Sequence, residues 1–298
     1  MTFAQFTAAI RSTGRVLMRN HTMPIAAGLA YYFVLSLFPL LIVLATVVVY
    51  LPIPNLFGRL LAALASVVPP EGMGLVRGVL RDVLTHQHPK LLSVGLVGTL
   101  YAASGGFSSM IEALNVAYDV PETRPWWRTR IVLSLRLTLV IGGLFVMAMA
   151  FMMVGPQFGG WLAGKIGLGP VFAFLWEYLR WAVAVGFTIL GVLLLYLSAP
   201  NVQNRFWPTL PGATLAVSTW LAGSWAFGLY IRHLANFNKT YGTLGAAVVL
   251  LTWLYWTNLI MLIGAEFNNE LIKASTKRPL LVKASAEKPQ TTPIRRAA

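Results

Sequence analysis

No cysteine occurs in this chain, which excludes disulfides, thiolate metal sites and a cysteine nucleophile. Charge is scarce too. Only 11% of the 298 residues are Asp, Glu, Lys or Arg, well short of the roughly one quarter that keeps a soluble domain wet. Of the four histidines, His21 falls at the inner end of the first span, His86 and His88 outside and His233 at an outer end, so no His cluster is expected to meet carboxylates on the cytoplasmic side. Metal-dependent phosphodiester cleavage needs a converging His/Asp/Glu cluster, and acid–base cleavage needs paired histidines. No phosphate loop of the GxxxxGK[ST] type occurs either, which excludes ATP-driven pumping by this chain alone. The expectation is a protein without enzymatic activity, metal or other cofactor.

What is present is hydrocarbon. From Asn20 to Gly58 there is no charged residue, and charge-free runs recur at Leu91–Ile111, Leu137–Gly164, Trp181–Asn204, Phe206–Ile231 and Thr240–Ala265. About 20 apolar residues rising 1.5 Å each cross a bilayer core. Only helices or closed barrels satisfy the backbone in lipid, and these runs are continuous rather than alternating. The expected fold class is therefore all-α: a polytopic membrane bundle of six transmembrane helices plus interfacial amphipathic helices. The spans are placed at roughly 25–51, 91–115, 131–154, 173–199, 210–232 and 243–268. The first run is too long for a signal-peptide core and lacks a cleavage site, so it is read as a retained helix.

Six crossings put both ends on one side. With the N-terminus inside, the inner segments hold about twice as many Lys and Arg as the outer ones, which favours cytoplasmic termini. The net charge of +14 then reflects orientation and attraction to anionic lipid headgroups rather than nucleic acid binding.

Three regions follow. Residues 1–22 form a basic amphipathic helix, with Arg11, Arg15 and Arg19 opposite Phe3, Phe6, Ile10 and Leu17, expected to lie in the membrane interface. Residues 23–272 form the transmembrane domain, with outer amphipathic helices at about 55–88 divided by Pro69-Pro70. Residues 273–298 form a basic, Pro-containing tail expected to be disordered. Gly155–Pro170 reads as a turn and a short interfacial piece. Small residues at Ala102–Gly106 and at Ala222, Gly223, Ser224, Ala226 and Gly228 mark spans 2 and 5 as central and shielded from lipid. Their equivalent places in two three-helix halves suggest an inverted repeat, although the residues match poorly.

Polar residues inside the spans are the candidate site. Pro39 leaves the Leu35 carbonyl without its helical donor, and Tyr31 and Ser36 lie nearby with hydroxyls to offer. This is either an ordinary kink with serine back-bonding or a hinge of the kind transporters use. Glu112, Asn115 and Asp119 are spaced to share one helix face, and Arg124, Arg128, Arg130 and Arg136 follow them. Two readings stay open: an interfacial salt-bridge clasp flanked by Trp126 and Trp127, or a seat for a phosphate-bearing lipid headgroup. Glu177 and Arg180, three apart, read as a snorkelling interfacial pair. Asn258 lies well inside span 6 and is expected to find a partner on another helix, while Glu266 sits about a turn from the inner surface and reads as a satisfied interfacial carboxylate, with a proton relay as the alternative.

The segments AAGLAYYFVLSLFPLLIVL, ALNVAYDVPETRPWWRTR and YGTLGAAVVLLTWLYWTNLIMLIGAEFNNEL, in that order, resemble the YihY/BrkB family of bacterial inner-membrane proteins. Tyr31, Ser36, Pro39, Asn115, Tyr118, Arg130, Tyr241, Gly242, Gly264 and Glu266 match its motifs. The resemblance covers roughly 1–275. It implies a six-helix bacterial inner-membrane protein with cytoplasmic ends. It also implies a link to envelope integrity, serum resistance and movement of lipid-type envelope precursors. An old label of the family, ribonuclease BN, conflicts with the residue chemistry above, and the family brings no established catalytic set.

The function these residues support is transport of amphiphilic envelope lipids. The candidate substrate-binding residues are Tyr31, Ser36, Pro39, Glu112, Asn115, Arg130, Arg136, Asn258 and Glu266. The alternative is a non-transporting scaffold or assembly factor, and a small-ion channel ranks third because no polar stripe runs along several spans. Expected partners are membrane lipids with anionic headgroups and no nucleic acid, with a homo-oligomer or an envelope protein partner left open.

Overall fold

A computed structural model describes residues 3–50, 58, 61–62, 65, 73–74, 77–78, 101–102, 104–166, 170–234 and 243–275. Among the described residues there are seven α-helices and no strand: α1 Phe3–Arg19, α2 Thr22–Tyr50, α3 Gly105–Ala117, α4 Ser134–Ile166, α5 Pro170–Ser198, α6 Phe206–Leu234 and α7 Thr243–Ser275. A π-helical segment, Arg128–Leu133, leads into α4. Among the described residues three stretches are long and apolar enough to cross a membrane: Arg128–Ala148, Tyr178–Ser198 and Ala247–Ala274. The first part of span 2, the Tyr241-Gly242 pair, the tail beyond Ser275 and most of the outer amphipathic segment lie outside the described residues.

The helices close into a ring. α2 packs on α3, α3 on α4, α4 on α5, α5 on α6, α6 on α7, and α7 returns to α2 while also touching α3. The start of α2, the end of α3, the start of α4, the end of α5, the start of α6 and the end of α7 meet at one pole, where hydrogen bonds join Thr22 to Glu266, Asn115 to Asn201 and Asn268 to Gly212. Ile111, Leu114, Tyr118, Leu193, Tyr196, Val217 and Leu262 form the sealed core just inside that pole. The outer faces are apolar instead: Leu139, Phe145 and Met147 on α4, Leu175 and Trp181 on α5, and Trp225 on α6 are all exposed. Contiguous apolar surface of this extent marks a surface meant for something other than water.

Several sequence expectations change. Gly155–Ile166 is not a turn, because α4 runs unbroken through it, about 50 Å in all. Residues 167–169 lie outside the described residues. α1 also packs on α7, a contact its sequence did not specify. Ala9, Thr13 and Val16 are buried, and Ala9 packs with Phe267 and Leu271 of α7 while the Phe6 ring meets Phe267 edge-on at 5.3 Å. Ile10 stays exposed beside this seam, so the helix is amphipathic toward the protein and toward the outside at once.

Span 5 is not uniformly shielded: Ala222 and Ala226 are exposed and Gly223 is only half-buried, in ordinary contact with Ile260. The close approach of α6 and α7 lies nearer the pole. A Cβ on Gly264 would stand 2.7 Å from the Ala216 Cβ, 2.7 Å from the Tyr196 hydroxyl and 2.9 Å from the Gly212 carbonyl oxygen. In span 2, Ser104, Gly106 and Ser108 are buried, and a Cβ on Gly106 would lie 2.8 Å from the Ser36 hydroxyl. Small residues do permit close packing in both spans, but the central helices are α3 and α7.

Gly264 therefore has no room for a methyl group. The Gly264→Ala variant is expected to lose about 1–3 kcal/mol through overpacking, read as a lowered thermal midpoint in detergent, whereas Gly142→Ala, with open space around its Cβ position, leaves the midpoint unchanged.

Candidate functional site

The pole is built on helix ends, and helix ends carry unsatisfied backbone groups. α3 stops in a Schellman turn: the Val120 N–H donates to the Asn115 carbonyl and the Asp119 N–H to the Val116 carbonyl, both at 3.0 Å. Asp119 occupies the left-handed position with φ of 57°, a place usually given to glycine. Its carboxylate lies 3.7 Å from Arg19 and 3.8 Å from Lys273, so the end of α3 is held electrostatically between α1 and α7. These pairs are exposed and contribute little each.

Beneath that cap the side chains are mostly amides. Buried Asn115 donates to Glu122 Oε2 at 2.8 Å, and its Oδ1 accepts the backbone N–H of Asn201 at 2.7 Å. Asn201, in the α5–α6 connection, donates in turn to the Pro121 carbonyl at 2.9 Å and to Thr123 Oγ1 at 2.8 Å. Arg124 closes the loop. Its Nε and Nη2 take the two Glu122 oxygens at 2.7 and 2.5 Å, and Nη2 also reaches the Ala199 carbonyl at the end of α5, at 2.8 Å. Burial of the Glu122 carboxyl disfavours its charge. The Arg124 guanidinium and backbone N–H and the Asn115 amide outweigh this and hold it below the ordinary carboxylate range. The Tyr118 phenol, fully buried next to this loop, is pushed up by burial and stays neutral.

On the other side of the pole, Asn268 of α7 bridges the start of α6, accepting from the Gly212 N–H and donating to the Thr209 carbonyl, both at 2.8 Å. Pro211 interrupts α6 beside these groups, which leaves the backbone there open to a side-chain partner. Asn269 donates to the Ala117 carbonyl at 3.0 Å. Asn204 donates to the Tyr196 carbonyl at 2.8 Å, and the Tyr196 hydroxyl donates to the Met261 carbonyl at 2.5 Å. Glu266 accepts at Oε1 from Thr22 at 2.6 Å and from Asn20 at 3.3 Å.

The sequence-selected residues do not form one site. Asn115 and Glu266 belong to the pole. Glu112 is exposed although it shares a helix with Asn115, because a spacing of three still turns it to the flank of α3, so the expected Glu112–Asn115–Asp119 face is divided. Of the following arginines Arg124 pairs, and its partner is Glu122, not Glu112. Ser36 turns toward α3 and donates to the Phe33 carbonyl at 3.0 Å, while Tyr31 points outward with its ring edge-on to Tyr32, so the two hydroxyls do not meet at Pro39. Asn258 is buried and finds its partner in its own helix, donating to the Leu254 carbonyl at 2.9 Å rather than crossing to another. The Glu177 side chain, and with it the expected pair with Arg180, lies outside the described residues.

Among the described residues, neither the Arg130 nor the Arg136 side chain forms an ion pair with the residues of the pole. Arg130 belongs to the π-helical segment; its guanidinium lies 5.4 Å above the Tyr101 ring and alongside Gly105, whose Cβ position is 3.8 Å from Nη2. Among the described residues no acidic side chain is within ion-pair distance of it, whereas Arg19, Arg124 and Lys273 are all paired. Arg136, further along α4, is exposed, as are Trp126, Trp127 and Arg128. Thr22, Glu122, Asn201, Asn204, Asn268 and Asn269 were not singled out from the sequence. The available signal was the placing of asparagines at span ends in a chain otherwise poor in polar residues. Among the described residues, no group of three or more His, Asp or Glu is placed to hold a metal ion.

Comparison with known proteins decides the family. The sequence profile of the virulence factor BrkB family matches residues 13–288. The chain belongs to this family. It is 32% identical over 248 residues to a Bacillus subtilis protein provisionally named ribonuclease-like protein YfkH, covering 83% of this chain and 89% of the relative. It is also 29% identical over 267 residues to a UPF0761 membrane protein of Tolumonas auensis, covering 87% and 83%. A UPF0761 membrane protein of Stenotrophomonas maltophilia matches at 27% over 260 residues, with 83% of this chain but only 56% of that longer protein covered. No solved structure matches. This BrkB family member is a helical membrane protein, which accounts for its apolar outer faces.

The Arg124 clasp is open to direct test. Arg124→Ala strands the Glu122 carboxylate and the Ala199 carbonyl, and is expected to cost about 1–3 kcal/mol of stability in detergent. Because the Glu122 pKa is lowered on folding, its contribution is present above the unfolded carboxylate value and lost as pH falls through the lower folded value. The gap between wild type and Glu122→Gln should therefore be constant near neutrality and shrink on acidification below about pH 4.5.

Proposed function

We propose that this BrkB family member is a carrier that moves amphiphilic, anionic envelope lipids across the bacterial inner membrane, with six crossings and both termini in the cytoplasm. The observation that carries this reading is Arg130. It is a half-buried guanidinium at the α3–α4 seam, stacked on Tyr101, beside a glycine backbone and without an acidic partner among the described residues. Such a group takes phosphate oxygens bidentately, and an aromatic face beside it accommodates a headgroup. Exposed Trp126 and Trp127 mark headgroup depth at the same end of α4. Support for six crossings comes from the alternation of helix ends at one pole, with the described part of span 2 supplying the second passage. Support for the orientation comes from the excess of Lys and Arg in the segments on that side.

The nuclease name carried by one relative does not transfer on chemical grounds. His86 and His88 share one loop, read as facing outward, while His21 and His233 belong to the ends of spans 1 and 5, so the expected topology leaves no histidine pair on the cytoplasmic side for a phosphodiester. A second reading, a non-transporting scaffold, draws on the tightly packed pole, where Leu114, Tyr118, Tyr196 and Asn268 are sealed from solvent.

Reconstituted protein should accelerate transbilayer movement of a fluorescent phosphatidylglycerol above the rate in protein-free liposomes. Arg130→Ala should slow it about tenfold to a hundredfold, the loss expected for one charge-assisted phosphate contact, while Arg11→Ala should not. Movement no faster than in empty liposomes would leave the scaffold reading in its place.

A further inference from the structure

Two buried oxygens on α7 have nothing to accept from: Glu266 Oε2 and Asn269 Oδ1. Both residues are 1% exposed, and a spacing of three puts them on one side of the helix. Their other atoms are committed. Glu266 Oε1 accepts from Thr22 and Asn20, and Asn20 also donates to the Val116 carbonyl at 3.4 Å. The Asn269 amide must turn its N–H toward the Ala117 carbonyl, which can only accept, so Oδ1 is the atom left over. Val116 and Ala117 form the last turn of the 13-residue helix α3, whose dipole presents its negative end here. A buried carboxylate oxygen beside a negative helix end and a second bare oxygen requires a positive charge to neutralise it.

The protein supplies none in contact. The Arg19 charge, at the end of α1, reaches Glu266 without contact and is itself paired with Asp119 just past α3, and His21 in the α1–α2 turn is exposed. Lys273 on α7 pairs with Asp119 and with Glu270 at 3.3 Å. Arg11 and Arg15 on α1 are exposed, Tyr118 on α3 is neutral, and residues 206–229 of α6 contain no titratable side chain. Among the described residues Glu266 has no ion-pair partner.

We propose that Glu266 and Asn269, with Thr22 as second support of the carboxyl, bind one monovalent cation, H⁺ or Na⁺, where the α1–α2 turn, the end of α3 and α7 meet. One carboxylate among neutral oxygens balances a single charge; Ca²⁺ and Mg²⁺ call for more oxygen ligands of higher charge. The place suits a coupling ion. Its two neighbouring connections each hold a non-glycine residue in the left-handed region, His21 at φ 51° and Asp119 at φ 57°, so a change of charge acts on the joints of three helices. The purpose of the site rests on the carrier reading, but its chemistry does not.

The test is the thermal midpoint of the purified full-length protein in detergent, read by tryptophan fluorescence over a pH series in choline chloride and in NaCl. The wild-type midpoint should depend on pH in choline chloride, and Glu266→Gln, which carries its own proton-like donor, should abolish the part due to this group. If Na⁺ is the ligand, NaCl raises the wild-type midpoint at alkaline pH in a saturable way and leaves Glu266→Gln unmoved. If H⁺ is the ligand, NaCl and choline chloride give the same curve. Asn269→Ala and Thr22→Val should each displace the wild-type pH or Na⁺ midpoint by about tenfold in cation concentration, and they serve if Glu266→Gln does not fold. Identical pH and NaCl responses in wild type and Glu266→Gln would overturn the proposal, as would unchanged responses in Asn269→Ala and Thr22→Val. No lipid moves in this measurement, so its failure and a failure of the flipping assay are distinguishable.

Discussion

A polar group removed from water must find its partner inside the protein, and in a chain with apolar outer faces the helix ends are where that demand concentrates. Each helix reaching the pole brings backbone donors or acceptors that its own turns cannot satisfy. Here amide side chains meet that demand: Asn115 holds the backbone of the α5–α6 connection, Asn268 the start of α6, Asn269 the end of α3, and Asn204 the end of α5. An asparagine suits this work because it donates and accepts without charge, so it can be buried without a counterion. Where a charge joins this network, as at Glu122, a guanidinium and two further donors surround it.

That arrangement explains which parts of the molecule were legible in the sequence. Helices α2, α5, α6 and α7 fall close to their expected spans because hydropathy over twenty residues is a local property, and the membership of the BrkB family followed from three ordered segments. The end of α4 was misread at Gly155-Pro156, where local turn chemistry gave way to packing; Gly159 of this stretch sits so close to Trp176 of α5 that a Cβ would touch the ring. Asn115 stood out by its spacing within one helix. Its partners did not, since Asn201 lies 86 residues away and Glu122 is in a loop with no period to read. Asn258 went the other way: a lone amide in a span invites a partner on a neighbour, yet the carbonyl four residues back was nearer.

The same contrast separates the two kinds of arginine. Arg124 is spent on structure, bound on two sides by Glu122 and Ala199, and offers nothing to a ligand. Arg130 is held by an aromatic face and a glycine backbone, contacts that orient a guanidinium without neutralising it. This protein thus keeps a closed pole, in which the Glu122 charge is compensated by Arg124, and a separate seam in which Arg130 is not compensated. The carrier reading places function in the seam and rigidity in the pole, and the family's provisional nuclease name requires neither.

The central claim is that the pole is one hydrogen-bonded unit tied through Asn115. Hydrogen–deuterium exchange of the full-length protein in detergent, resolved by mass spectrometry, tests it most directly. The account predicts that the backbone amides of 118–124 and 199–204 exchange as slowly as those of the adjoining helices, and that Asn115→Ala releases both segments together. Fast exchange of 199–204 in the wild-type protein, or release of one segment without the other in the variant, would contradict it.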